Sequence, residues 1–87
     1  TRVLIRKYYR LEINMAEIKY DIVENLGVLS TNAKGWTKEL NLVSWNERDP
    51  KYDIRDWNED HTRMSKGITL TTEEAEVLKN ILADEFH

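Results

Sequence analysis

Cysteine is absent from the 87 residues, which excludes disulfides, thiolate metal sites and thiol nucleophiles and fits a reducing, cytoplasmic setting. No apolar run approaches the roughly 20 residues that a membrane-spanning helix needs. Val3-Leu4-Ile5, followed at once by Arg6 and Lys7, is too short for the apolar stretch of a secretory signal. The three glycines, Gly27, Gly35 and Gly67, lie too far apart to form a phosphate-cradling loop. Histidine is scarcer still: His61 falls in a polar stretch and His87 at the end. Neither belongs to a pattern of nucleophile, base and orienting acid, so no enzymatic arrangement is recognisable and His61 is expected to be a solvated loop residue. Excess positive charge is also lacking. A net charge of −3 argues against a protein that holds DNA by bulk charge alone.

What is present is the composition of one small globular domain, 33% charged and 40% hydrophobic, too apolar to be disordered. A chain of this size hides only about 60% of its unfolded surface, so association with a second copy would help to stabilise it. Its charges are unevenly placed. Arg2, Arg6, Lys7 and Arg10 lie near the start, and Lys34, Lys38, Arg48, Lys51, Arg55, Arg63 and Lys66 in the middle. Glu73, Glu74, Glu76, Asp84 and Glu85 crowd the end. An anionic ligand should therefore meet the middle of the chain.

Met15-Ala16-Glu17 resembles an ordinary protein start, so residues 1–14 are set apart as an N-terminal extension of unknown role and residues 15–87 as the domain. Within the extension Val3, Ile5, Tyr9, Leu11 and Ile13 follow the period of a strand, while Leu4, Tyr8, Leu11 and Met15 also fit a helical stripe. From residue 17 the alternation is clearer. Ile18, Tyr20 and Ile22 alternate with Glu17, Lys19 and Asp21, a half-buried strand that extends toward Leu29 with a bend or bulge at Gly27. A loop over 30–35 leads to a second strand over 36–46. A turn ending at Pro50 leads to a third over 51–57, in which Lys51, Asp53, Arg55 and Trp57 oppose Tyr52 and Ile54. After the polar stretch Asn58–Lys66, Ile68 and Leu70 mark a short fourth strand. Thr71 and Glu74 then form a capping box that opens a helix. Its stripe of Ala75, Leu78, Leu82 and Phe86, flanked by Val77 and Ile81, is wide enough to cover a sheet and meet a second copy as well. Four strands and a helix predict an α+β fold with the helix packed on one face of an antiparallel sheet.

Two constellations could carry chemistry. Asp56, Asn58 and Asp60 hold the first, third and fifth places of a calcium loop, but His61 stands where glycine is required and Gly67 where a bidentate glutamate is required. The metal reading fails at both, and no metal or other cofactor is expected. The second is aromatic and basic. Lys34, Trp36, Lys38, Trp45, Lys51, Arg55 and Trp57 interleave cations for phosphates with indoles on which unpaired bases stack. Trp57 shares strand parity with three charged residues, which predicts that it faces the ligand. Trp36 and Trp45 stay open between core and ligand. The same Trp/Arg surface would also suit a protein partner, so a protein-interaction module is the alternative.

With these residues laid out, the chain resembles the positive cofactor 4 family of transcriptional coactivators, especially its small bacterial YdbC-like branch. The likeness rests on Asn32-Ala33-Lys34-Gly35-Trp36, Lys38-Glu39-Leu40-Asn41, Val43-Ser44-Trp45-Asn46, Pro50-Lys51-Tyr52-Asp53-Ile54-Arg55 and Lys66-Gly67-Ile68-Thr69-Leu70 before the acidic-capped helix. It covers roughly residues 17–86. It implies a four-stranded, strongly curved antiparallel sheet followed by one C-terminal helix, dimeric through the helices, and sequence-independent binding of single-stranded DNA, with RNA binding varying among members. By position it places the family's strand arginine on Arg55, its nearby aromatic on Trp57 and the lysine before its glycine on Lys66. Lys34, Trp36, Lys38 and Trp45 match the bacterial branch. The serine-rich regulatory tail of eukaryotic members has no counterpart, so coactivation is not carried over. Residues 1–14 match nothing in the family.

Overall fold

The computed structural model describes the backbone of residues 5–11 and 16–87, with side chains from residue 18 onward. Among the described residues, five strands, β1 (Ile5–Leu11), β2 (Ala16–Thr31), β3 (Thr37–Trp45), β4 (Lys51–Trp57) and β5 (Ile68–Leu70), precede one helix, α1 (Thr72–Glu85). They form a single sheet in chain order, every neighbouring pair antiparallel. The four expected strands are β2 to β5. β1 adds a fifth at the edge, where Ile5 to Leu11 pair with Ile22 to Ala16 of β2. The strand alternative for the extension therefore holds across 5–11.

β2 runs unbroken past the bend expected at Gly27. Its register with β3 shifts three times, between Ile22 and Glu24, Asn25 and Gly27, and Val28 and Ser30. An inserted residue bends a strand and increases its twist, so three such shifts in one strand curve the sheet at this end. The β2–β3 hairpin closes through Asn32, whose backbone N–H donates to the Trp36 carbonyl (2.8 Å) and whose Oδ1 accepts from the backbone of Lys34 (2.9 Å) and Trp36 (3.0 Å). Gly35 takes the left-handed position (φ 82°) that this turn requires and a side chain would disfavour.

Because successive side chains alternate across a sheet, β3 and β4 each present two sets. Leu40, Tyr52, Ile54 and Leu70 face α1 and, with Leu29, Ala75, Leu78 and Leu82, line a cleft of about 550 Å³ between sheet and helix. Val43, Trp45, Asn41, Asp53, Arg55 and Trp57 belong to the opposite face, where Trp45 and Val43 pair in register with Tyr20 and Ile22 of β2, Asn41 with Asp53, and Arg55 and Trp57 with Glu39 and Thr37 of β3.

The fully buried core lies on this second face, away from the helix. Tyr20 (1% exposed), Ile22, Val43 and Trp57 (each 0%) form it, with Trp45 and Met64 packed alongside. Complete burial of such side chains stabilises by roughly 1.5–3 kcal/mol each. The lid over this core is the segment 58–66. Met64 bridges to Trp57, the Tyr20 hydroxyl donates to the His61 carbonyl, and Asp56 and Ser65 exchange two hydrogen bonds (both 3.0 Å).

The helix begins as expected: Thr71 Oγ1 accepts from the Glu74 N–H (3.1 Å) and Glu74 Oε1 from the Thr71 N–H (2.8 Å). As expected, α1 lies on one face of the sheet, yet it contributes no buried residue. Val77, Ile81, Leu82 and Phe86 remain open to solvent.

Candidate nucleic-acid interface

The predicted binding residues fall in four places. Lys34 and Trp36 occupy the tip of the β2–β3 hairpin, the lysine exposed and the indole half-buried. Lys38, exposed near the start of β3 and paired in register with Asp56, has the parity of Leu40 and so sits on the helix side. Trp45, Lys51, Arg55 and Trp57 share the opposite face, where Lys51 is exposed, and Lys66 is exposed just before β5. The structure thus brings two of the tryptophans together with Arg55 and Lys51 on one face, and leaves Lys38 on the other.

Arg55 and Trp45 form the centre of that face. The Arg55 guanidinium grips Asp53 through two parallel bonds, Nε to Oδ1 at 2.6 Å and Nη2 to Oδ2 at 2.7 Å. Its Cζ lies 4.6 Å from the centroid of the Trp45 ring, within range of a cation–π contact. Asp53 is fully buried and also accepts from the Thr69 hydroxyl (2.9 Å). Tyr20 meets the same indole, ring centroids 6.0 Å apart. Trp45 stays half-buried, and its Nε1 finds no acceptor among the described residues.

Trp57 corrects the expectation that it faces the ligand. It is 0% exposed, stacked at a tilt between Tyr20 (5.3 Å) and His61 (5.6 Å) beneath the 58–66 segment. The parity argument placed it on the right face. Around Trp57 that face is buried, because Asp53 and Arg55 neutralise each other and the 58–66 segment folds over it.

His61 is likewise not a solvated loop residue. Its Nε2 lies 3.0 Å from both carboxylate oxygens of Glu39, and its side chain is 17% exposed. Glu39 also accepts from Asn25 (2.9 Å), Asn41 (3.1 Å) and Thr37 (2.5 Å). Burial alone would push its pKa up. The hydrogen bonds from Thr37, His61 and Asn41, with the charge of His61, outweigh that and hold it below the usual glutamate value. The Tyr20 hydroxyl is pushed up to about 12, first by burial and then by the negative charge of Asp60.

Asp53, Glu39, His61 and Tyr20 were missed as members of this surface. Asp53 was within reach, since a residue two positions before Arg55 on a strand shares its face. The union of Glu39 with His61 had no local signal. Among the described residues no group of three or more His, Cys, Asp or Glu side chains is placed to hold a metal ion, and no helix is long and apolar enough to cross a membrane.

The family model of Transcriptional Coactivator p15 (PC4) matches residues 32–81. An uncharacterized protein of Treponema pallidum (strain Nichols) is 46% identical over 66 residues, covering 76% of this chain and 78% of its own length. The chain belongs to the PC4 family.

The PC4 match begins at the asparagine that closes the β2–β3 hairpin and ends in the last turns of α1. It contains Trp45, Asp53, Arg55, the 58–66 segment and the Thr71 cap. Tyr20 and Ile22 lie before it, so half of the fully buried aromatic and aliphatic core comes from outside the matched span.

Proposed function

We propose that this PC4-family chain binds single-stranded nucleic acid without regard to sequence, single-stranded DNA foremost and RNA as a second ligand, as a non-catalytic homodimer serving transcription, replication or repair. The observation that carries this reading is the Trp45 indole, half-exposed and held by Arg55 at 4.6 Å and Tyr20 at 6.0 Å, with Lys51 and Lys66 exposed and unpaired among the described residues. A rigid ring offers a stacking platform to any base, worth roughly 1–3 kcal/mol per base. Lysines neutralise the phosphates, each contact adding about 0.7 to the slope of log affinity against log salt. Lys34, exposed at the hairpin tip, adds a further cation beyond that face. Support for the homodimer comes from the apolar residues of α1, which one chain leaves uncovered.

Titration of tryptophan fluorescence with oligo-dT and with a duplex of equal length tests the ligand class. Quenching by the single strand at lower concentration than by the duplex is expected. Equal response to both, or none, would end this reading.

One observation favours a protein partner instead. The net charge is −3 and the central guanidinium is already neutralised by Asp53, which weakens long-range attraction for an anion. A module contacting transcription machinery through the same Trp/Arg surface would retain its partner after nuclease treatment and in high salt.

A further inference from the structure

We infer that Arg55 acts as a positioning residue that fixes the Trp45 indole for stacking, its charge neutralised within the fold, and that the exposed lysines alone meet the phosphates. The inference rests on the single-strand reading above and departs from the phosphate-binding role that a strand arginine on a basic face would ordinarily be given.

The fork of the guanidinium is occupied. Nε and Nη2 engage both oxygens of a carboxylate that is 0% exposed, the geometry for which arginine is better suited than lysine. The third nitrogen, Nη1, points under the 58–66 segment toward Met64 Sδ (3.4 Å) and the Ser65 carbonyl (3.5 Å). Only 13% of the side chain is exposed. For Arg55 to reach a phosphate it would have to abandon Asp53, leaving a buried carboxylate with the Thr69 hydroxyl as its remaining donor. A buried charge stripped of its counter-ion is strongly penalised, so the exchange runs against binding.

The stem is clamped as tightly as the head. Gly67, where β5 approaches β4, leaves so little space that a Cβ there would lie 2.4 Å from Arg55 Cβ and 2.9 Å from its Nε. A glycine at 67 lets the backbone press on Arg55 and keep its guanidinium over the Trp45 ring. The indole is then braced by Arg55 and by Tyr20, and ordering it beforehand spares binding that cost.

Salt dependence separates the two roles. For Arg55→Gln and Arg55→Lys the slope of log affinity for oligo-dT against log salt should equal that of the natural protein. Affinity should fall about tenfold, the loss of roughly one stacking contact, and the fluorescence quench at saturation should shrink. A slope reduced by about 0.7 in Arg55→Gln and restored in Arg55→Lys would assign Arg55 to a phosphate and overturn the inference. Should the variants not fold, ¹⁵N NMR of the unaltered protein decides. The Arg55 Nε–H resonance should keep its position when oligo-dT saturates the protein, and a large displacement would show the guanidinium leaving Asp53. Failure of the unaltered protein to bind oligo-dT at all is a different result, and it removes the single-strand reading itself.

Discussion

At the scale of single residues, the buried polar groups set how stability depends on pH. Glu39 is 2% exposed and its pKa is held below the ordinary value by donors that exist only in the folded chain. A carboxyl group depressed on folding binds fewer protons in the native state. Its contribution is therefore present above the unfolded value of about 4.3 and is lost as pH falls through the folded one. Urea midpoints measured from pH 7 down to pH 3 should fall for the natural chain, and Glu39→Gln should flatten that fall while costing about 1–3 kcal/mol at neutral pH. Tyr20 has the opposite sign. Its hydroxyl, raised to about 12, favours folding fully below pH 10 and loses that contribution as pH rises toward 12. One tyrosine should titrate last in an ultraviolet absorbance titration, and Tyr20→Phe should remove that late step. Trp57, buried completely, is expected to matter for stability: Trp57→Ala should cost about 3–5 kcal/mol in chemical unfolding.

At the scale of elements, the parts fixed by neighbours in sequence were legible and those fixed at a distance were not. Period two located β3 and β4 to within a residue, Gly27 marked one of three register shifts, and Thr71 with Glu74 gave the start of α1. Thr71→Ala should therefore lower stability by about 1 kcal/mol, read from the thermal midpoint. The 58–66 segment was legible only as a polar loop. What docks it is a hydroxyl 41 positions away on Tyr20 and a carboxylate 22 positions away on Glu39, and neither distance leaves a local pattern. The same blindness affected the site. Three charges on one parity of β4 suggested an open face, whereas the Asp53–Arg55 pair is self-neutralising and admits a lid that covers Trp57. Gly67→Ala offers a check on how closely β5 and β4 approach. With Ile54 O at 2.5 Å and Arg55 Cβ at 2.4 Å from the added atom, the strands must separate, and a loss of about 1–3 kcal/mol is expected.

At the scale of the whole molecule, the two faces of the sheet are unequal. One is partly covered within the chain by the 58–66 segment, which leaves Trp45 and Lys51 accessible. The other is covered by a helix without a buried residue, beside a cleft of about 550 Å³ lined largely by leucine, isoleucine, tyrosine and alanine. Exposed Val77 (57%), Ile81 (60%) and Leu82 (45%) lie on that helix and Phe86 (79%) caps it, while Ile68 (59%) and Leu29 (58%) are also exposed. A contiguous apolar surface is costly to leave in water, and a chain of this length has little other apolar burial from which to compensate. A second copy laying its own helix on this surface would bury the stripe on both sides, since a two-fold interface repeats the same patch. The proposed homodimer therefore makes a prediction that the other face does not share. Ile81→Glu, which puts a charge among the exposed apolar residues of α1, should reduce the mass measured by light scattering from two chains to one. It should also remove the rise of thermal midpoint with protein concentration that a dimer shows. The Trp45–Arg55–Asp53 centre lies on the opposite face, so each Ile81→Glu monomer should still quench with oligo-dT, though more weakly because two linked sites no longer act on one strand. A natural chain of single-copy mass at every concentration would refute the dimer while leaving the single-strand site to stand on its own test.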